Sequence, residues 1–186
     1  PRVGANNAQI VWRHKLSPHT ELRAGIGRKT RFPSIKEVYS YRLGQAIPNP
    51  ALGPEQALNR EVGVSGVMLG GVKYDAAVYW DSIKDVIESV ATSTPGISQA
   101  QNVGTATNKG LDLSVQAPIG NAWIASVAYS YLDATLGAHG LVATNAPRHW
   151  ADLGVSWLPG DATTLSAHLQ AASSRQTTTH GRQPAA

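Results

Sequence analysis

Two rhythms run through this chain, and together they leave few architectures open. Apolar and polar residues alternate with a period of two along successive segments, and the connections between those segments are short and long in turn. The period is clearest in Gly71–Asp81, where Val72, Tyr74, Ala76, Val78 and Trp80 alternate with Lys73, Asp75, Ala77, Tyr79 and Asp81. In Lys109–Ala117, Leu111, Leu113 and Val115 alternate with Asp112, Ser114 and Gln116. In Ala122–Leu132, Trp123, Ala125, Val127, Tyr129 and Tyr131 alternate with Ser126, Ala128 and Ser130. Two further copies set Leu153, Val155 and Trp157 against Asp152 and Ser156, and Leu165, Ala167 and Leu169 against Ser166, His168 and Gln170. Weaker copies cover Ala8–His14, Thr20–Lys29 and Gln56–Gly66. Successive side chains on a strand point to opposite faces, so the pattern predicts about eight strands, each with one apolar and one polar face. No segment makes a convincing helix. Ile83, Val86, Ile87 and Val90 also fit helical spacing, and the period-two phase breaks after Trp80. The strand preference of Val and Ile favours a continuing strand there.

Four connections are tight: Leu16-Ser17-Pro18-His19, Met68-Leu69-Gly70-Gly71, Pro118-Ile119-Gly120-Asn121 and Leu158-Pro159-Gly160-Asp161. Each holds the Pro, Gly, Asn, Asp or Ser that turns favour. Between them lie long ones: Thr30–Glu55, roughly Thr92–Ala100, and Asp133–Ala146. An antiparallel up-and-down meander produces this alternation, with tight turns at one end and long loops at the other. Transmembrane barrels are built so. Alternation alone also suits a soluble sandwich, but the aromatics favour the barrel. Trp12, Tyr74, Trp123 and Trp157 lie close to tight turns, and Trp80, Tyr129 and Tyr131 toward the long loops. All seven are in the apolar phase and form two girdles around aliphatic positions. Arg60 breaks phase among Leu58, Val62 and Val64, near a long loop, which suits headgroup level.

Composition trims the alternatives. The 186 residues include no cysteine, which excludes a disulfide scaffold, a thiolate metal site and a cysteine nucleophile. No run approaches the roughly 18 apolar residues of a membrane-crossing helix, a fact silent about barrels. The net charge is +4, yet basic residues never cluster beyond pairs, which argues against nucleic-acid binding. Charged residues are only 15% of the chain, so the polar faces are built largely from Ser, Thr, Asn, Gln and Gly. The first residues, Pro1-Arg2-Val3-Gly4, carry no initiator Met and no signal-peptide pattern, and read as internal to something longer. Residues 1–172 read as a partial barrel domain, and 173–186, rich in Thr, Gln and Arg, as a loop or loose tail.

Several motifs resemble those of a known family. Phe32-Pro33-Ser34-Ile35-Lys36-Glu37-Val38-Tyr39 is followed by Asn49-Pro50-Ala51-Leu52-Gly53-Pro54-Glu55 and by Asn59-Arg60-Glu61-Val62-Gly63. Then come Tyr79-Trp80-Asp81-Ser82-Ile83-Lys84-Asp85-Val86-Ile87 and Asn102-Val103-Gly104-Thr105-Ala106-Thr107-Asn108-Lys109-Gly110-Leu111-Asp112. Tyr129-Ser130-Tyr131-Leu132-Asp133 and Pro147-Arg148-His149 continue the order. The set resembles the barrel of TonB-dependent outer-membrane receptors over roughly Ala8–Ala171, with Asp112 where that family usually has Glu. Such receptors are similar to plugged barrels of about 22 strands. The resemblance therefore implies a fragment from the C-terminal half of a barrel. It also implies outer-membrane lipid as a partner, a metal-chelate ligand such as a ferric siderophore, and the energy-coupling TonB protein. The plug and the N-terminal motif that engages TonB have no counterpart in this sequence.

No catalytic constellation emerges. The serines lack a nucleophile-elbow setting, and the six histidines show no local ligand spacing, so neither a catalytic residue, a metal site nor a cofactor is assigned. His139 and His149 flank a long loop and could meet a ligand, although solvated loop histidines are the simpler reading. The polar phase, represented by Lys73, Asp75, Asp112, Ser126 and Asp152, is expected to line the lumen. In the Thr30–Glu55 loop, Arg31, Tyr39, Tyr41 and Arg42 are the ligand candidates, since cations beside aromatic rings suit anionic, aromatic-bearing chelates. Two other functions stay open on residues alone. One is a self-contained small barrel acting as anchor or adhesion module. The other is a hydrolase on a β scaffold, which needs a Ser/His/acid grouping not visible here.

Overall fold

The computed structural model describes residues 4–137, 141–142, 147–160 and 162–174. In chain order the elements are β1 (Ala8–Ser17), β2 (Thr20–Arg31), α1 (Ile35–Tyr39), β3 (Ala46–Ile47), β4 (Glu55–Val67), β5 (Lys73–Lys84), β6 (Ile87–Ala91), β7 (Ser98–Asn102), β8 (Thr105–Ile119), β9 (Trp123–Leu136), β10 (Leu141–Val142), β11 (His149–Gly160) and β12 (Thr163–Ala172). Eight long strands form one sheet in the order β1-β2-β4-β5-β8-β9-β11-β12, with β10 added beside β9. Every long strand pairs antiparallel with its neighbour in sequence. The chain is thus an all-β up-and-down meander. The tight turns lie at one end of the sheet. The connections from β2 to β4, β5 to β8 and β9 to β11 leave the sheet at the other.

Register assigns the two faces. Residues paired across strands share a face, so Glu21, Ser65, Asp75, Ser114, Ala128, Asp152 and Gln170 form one rung of the polar face. Lys73, Gln116, Ser126 and His168 lie on a second rung, and Arg23, Ala77, Asp112 and Ser130 on a third. The opposite face carries Trp12, Val62, Val78, Leu111 and Tyr131 on one rung, and Val115, Val127, Leu153 and Leu169 on another. These side chains are open: Val78 is 53% exposed and Leu169 66%. In a sandwich such a face would be the core, covered by a second sheet. Among the described residues no layer covers it, and a contiguous apolar surface of this extent is built for a non-aqueous neighbour.

Sterics on the polar face hold the register. Tyr79 of β5 lies flat across Gly110, its partner on β8, and a Cβ at that glycine would fall among the ring atoms. Only glycine allows the tyrosine to bridge the two strands, which explains the glycine within the Asn108-Lys109-Gly110 motif.

Two expectations need correction. The segment after Trp80 does not continue as one strand. β5 ends at Lys84, Asp85 takes a left-handed φ of 56°, and β6 pairs only with β7, in a small sheet ordered β3-β7-β6. Above Trp80 the apolar face turns polar, with Ser82 and Lys84, while Ile83 on the other face packs with Val86, Val103, Ala106 and Leu136. The helix-like spacing of Ile83 and Val86 reflects this small core under the loops, and the phase break marks where the strand leaves the apolar band. Second, Trp12 stands mid-strand in β1, stacked on His14 with ring centroids 5.5 Å apart, and not beside the turn. Trp123 and Trp157, stacked at 5.8 Å, do sit at the tight-turn end.

Candidate functional site

The long loops fold into a crown on the rim of the sheet, organised by one arginine. Arg31, the last residue of β2, grips Glu55, the first of β4, through Nε–Oε2 at 2.6 Å and Nη2–Oε1 at 2.8 Å. Planar forks of this kind match a carboxylate two bonds at a time. Its Nη1 donates to both Glu37 oxygens at 3.0 and 3.1 Å. Glu37 in turn closes a capping box on α1: the Ser34 N–H donates to it at 2.7 Å, and the Glu37 N–H donates to Ser34 Oγ at 3.3 Å. Glu55 Oε1 also accepts from the Ile87 N–H at 2.7 Å. One guanidinium thus ties α1 and β6 to the sheet.

Three amides finish the stitching. Asn102 accepts from the Gly53 N–H at 2.8 Å and donates to Gly53 O at 3.1 Å and Asp85 O at 2.7 Å. Asn49 donates to Ala100 O at 2.8 Å, and Gln99 donates to Pro48 O at 3.2 Å. β3 and β7 add a short parallel pairing. Excursions 32–54 and 85–104 are therefore one folded unit.

Within the crown lies a cavity of about 350 Å³, lined by Lys36, Glu37, Ser40, Arg42, Glu88 and Ser89 among others. Burial, together with the nearby Glu55 carboxylate, raises the Glu88 carboxyl above its ordinary range, against the lowering effect of the Ser89 N–H. Arg42 sits at a left-handed φ of 41°, followed by Leu43 at 54°, in a tight turn that thrusts this stretch outward. Tyr39 and Tyr41 are 59% and 68% exposed. Lys36 and Arg42 share the cavity wall with Glu37, Glu88 and several hydroxyls, while Tyr39 and Tyr41 are exposed on the same stretch of chain. Cations and open phenol rings of this kind can hold an anionic, aromatic group by charge-assisted hydrogen bonds and stacking.

Below the crown, a cavity of about 660 Å³ opens over the polar face, lined by Arg13, Arg23, Glu61, Tyr79, Asp81 and Asn108 among others. Arg23 spans three strands there. It donates to Glu61 from Nε at 2.8 Å and to Asp75 from Nη2 at 2.9 Å, crossing Gly63, where a Cβ would strike the guanidinium.

A family model described as "TonB dependent receptor-like, beta-barrel" matches residues 1–185. The chain belongs to this family. Among solved structures it is similar to the copper transporter OprC, at 20% identity and a TM-score of 0.74 over 88% of this chain and 25% of that one. It is similar to a mutant ferric enterobactin receptor, PfeA of Pseudomonas aeruginosa, in complex with enterobactin, at 20% identity and 0.75 over 92% and 28%. It is similar also to the siderophore receptor PirA of Acinetobacter baumannii, at 14% and 0.70 over 93% and 30%. No curated protein matches the chain. The chain spans between a quarter and a third of the length of these structures, as a segment of a TonB-dependent receptor barrel. The family is one of receptors, not enzymes.

In this TonB-dependent barrel segment the four loop candidates part company. Arg31 is engaged on both sides by Glu55 and Glu37, whereas Arg42 lines the crown cavity and Tyr39 and Tyr41 stand open. Lys73, Asp75, Asp112, Ser126 and Asp152 share the polar face, and Asp152 meets His168 at 3.2 Å. His149 stands at the start of β11, where its Nδ1 lies 2.8 Å from the hydroxyl of Tyr129 on β9. His139 lies outside the described residues. Glu88, Ser89 and Ser98 join this cavity through the β6–β7 hairpin, whose return over the 32–54 excursion no local spacing in the sequence signals.

The capping box also sets a pH dependence. Burial acts to raise the Glu37 carboxyl, but the Ser34 N–H and hydroxyl and the Arg31 guanidinium outweigh it, and the carboxyl titrates below its ordinary range. A depressed carboxylate contributes stability that is full above the unfolded value and is lost as pH falls through the folded one. The crown should therefore hold at neutral pH and loosen below about pH 4. Hydrogen exchange over residues 34–40, corrected for its intrinsic pH dependence, should quicken on acidification, and less so in Glu37→Gln. Equal protection at pH 7 and pH 3 would refute this.

Proposed function

We propose that this chain forms part of the wall of an outer-membrane receptor. In this reading its polar face lines the lumen, its apolar face meets lipid, and its crown helps capture an anionic metal chelate for TonB-coupled uptake. The family and the two-faced sheet support the wall. Solved relatives named as siderophore and copper proteins support a metal or its chelate as cargo. The observation that carries the ligand assignment is the crown itself. Arg42 and Lys36 line a cavity in a crown whose base is stitched together, and Tyr39 and Tyr41 stand exposed on the same stretch of chain. Lys73, Asp75, Asp112, Ser126 and Asp152 provide a hydrophilic surface past which the released cargo moves. Coupling to TonB belongs to other parts of a whole receptor.

Two variants separate capture from scaffolding. Tyr39→Ala with Arg42→Ala should weaken binding of the best-bound member of a ferric siderophore panel, ferric enterobactin included, by about 1.5–3 kcal/mol, the worth of one hydrogen bond to a charged group. Exchange protection of the crown should not change. Arg31→Ala should weaken binding too, but through loss of that protection. Titration of the full-length receptor checks this, and unchanged affinity in the Tyr39/Arg42 variant would remove the crown from ligand capture.

A further inference from the structure

The apolar face, which should be uniformly greasy, carries two cations near its loop end. Arg60 and Lys109 occupy one rung with Trp80 between them. The Arg60 guanidinium carbon lies 5.9 Å from the Trp80 ring centroid and the Lys109 ammonium 4.7 Å from it. Both cations are exposed, and neither meets a carboxylate among the described residues. Arg60 has a single long contact, to Ser82 Oγ at 3.4 Å. Asp133, the nearest acid along that rung, is instead engaged by Arg148 at 3.3 Å. Further out on the same face Arg28, which bonds Gln56, and Lys84 add more positive charge.

Immediately below this rung the same face is hollow. A groove of about 760 Å³ runs between Ile10, Trp12, Val62, Val78, Leu111 and Tyr131. An apolar channel capped by two unneutralised cations fits a molecule with a hydrocarbon tail and an anionic head. Lysine and arginine on a lipid-facing wall ordinarily reach toward the headgroup layer to stay wet. Here the Trp80 ring fixes both of them at the mouth of the groove, where a phosphate oxygen can accept from each.

We infer that Arg60, Trp80 and Lys109 form a binding site for the phosphorylated headgroup of a membrane lipid whose acyl chain lies in the groove below. The inference rests on the lipid-facing placement proposed above and is independent of the cargo that the crown takes. The lipid would act as an annular ligand that anchors the loop end of the wall.

Lipid A is a suitable probe, because its two phosphates can be removed without touching its acyl chains. Native mass spectrometry of the detergent-purified full-length receptor, given bisphosphorylated lipid A, should show retained adducts. Arg60→Gln with Lys109→Gln should lower retention at least about tenfold, and Arg60→Lys with Lys109→Arg, which keeps both charges, should restore it. Dephosphorylated lipid A should bind both proteins equally and weakly. Millimolar inorganic phosphate should not displace the adduct, since it lacks the chain that fills the groove. The inference is overturned by equal retention in wild type and the double Gln variant, by tight retention of dephosphorylated lipid A, or by displacement with phosphate alone. Thiol labelling that still finds Val78 shielded in such a case would leave the wall assignment standing and remove only the lipid site.

Discussion

An arginine at Leu113 should cost the folded barrel about 2–4 kcal/mol, and the same arginine at the adjacent Ser114 far less. Leu113 lies mid-strand on the apolar face between Ala76 and Tyr129, two rungs inside the Trp80 and Lys109 level. Ser114 sits on the opposite face between Asp75 and Ala128, on the rung that carries Asp152. A cation there gains carboxylates and water. Urea unfolding of the receptor in bilayers measures the difference. Cysteine scanning gives the same answer by another route. A water-soluble thiol reagent should label residues 75, 112, 126 and 152 and spare 78, 113, 127 and 155. Equal costs at the two sites, or equal labelling of both phases, would sink the assignment of faces.

Residues 1–186 expressed alone with an export signal should neither restore chelate uptake nor produce discrete conductance in a planar bilayer. The reason lies at the two ends of the sheet. Among the described residues β1 pairs only with β2, and β12 only with β11, so each presents a row of unpaired N–H and C=O groups. Hydrocarbon cannot satisfy those groups, which is why spanning sheets close. The free edges invite pairing with other chains, and the isolated segment should aggregate or require detergent. Uptake or unitary conductance by the segment would instead favour a self-sufficient small barrel.

What the sequence disclosed depended on range. The long strands were legible because their code is local: Val78 faces one way and Asp75 the other at any register, since alternation survives every tertiary detail. The division into tight turns and long loops was legible for the same reason. The crown was not, because its partners are far apart in sequence. Arg31 looked like a free loop cation beside Tyr39. Its occupants, Glu37 and Glu55, stand 6 and 24 residues away, and no spacing rule links them. The family motifs point the same way. Ser34 and Glu37 form a cap, Glu55 receives Arg31, and Asn49 and Asn102 sew one loop to the next. Residues that looked suited to chelate capture turn out in part to be the joinery of the rim. Ile83 and Val86 misled in the reverse sense, since a small loop core imitated helical spacing.

That joinery decides how a receptor of this build can change its cargo. Because Arg31 and Glu55 are directly paired on β2 and β4, both ends of the 32–54 excursion leave the sheet from a single rung. Lengthening a closed loop adds little entropy once its ends are fixed, about 0.6 kcal/mol per doubling. Substitutions at Tyr39, Tyr41, Arg42 and Leu43 stay outside the clamp and the Asn stitches. This turn is an interchangeable cassette: its chemistry can drift toward a different cargo while the wall that carries it keeps its register.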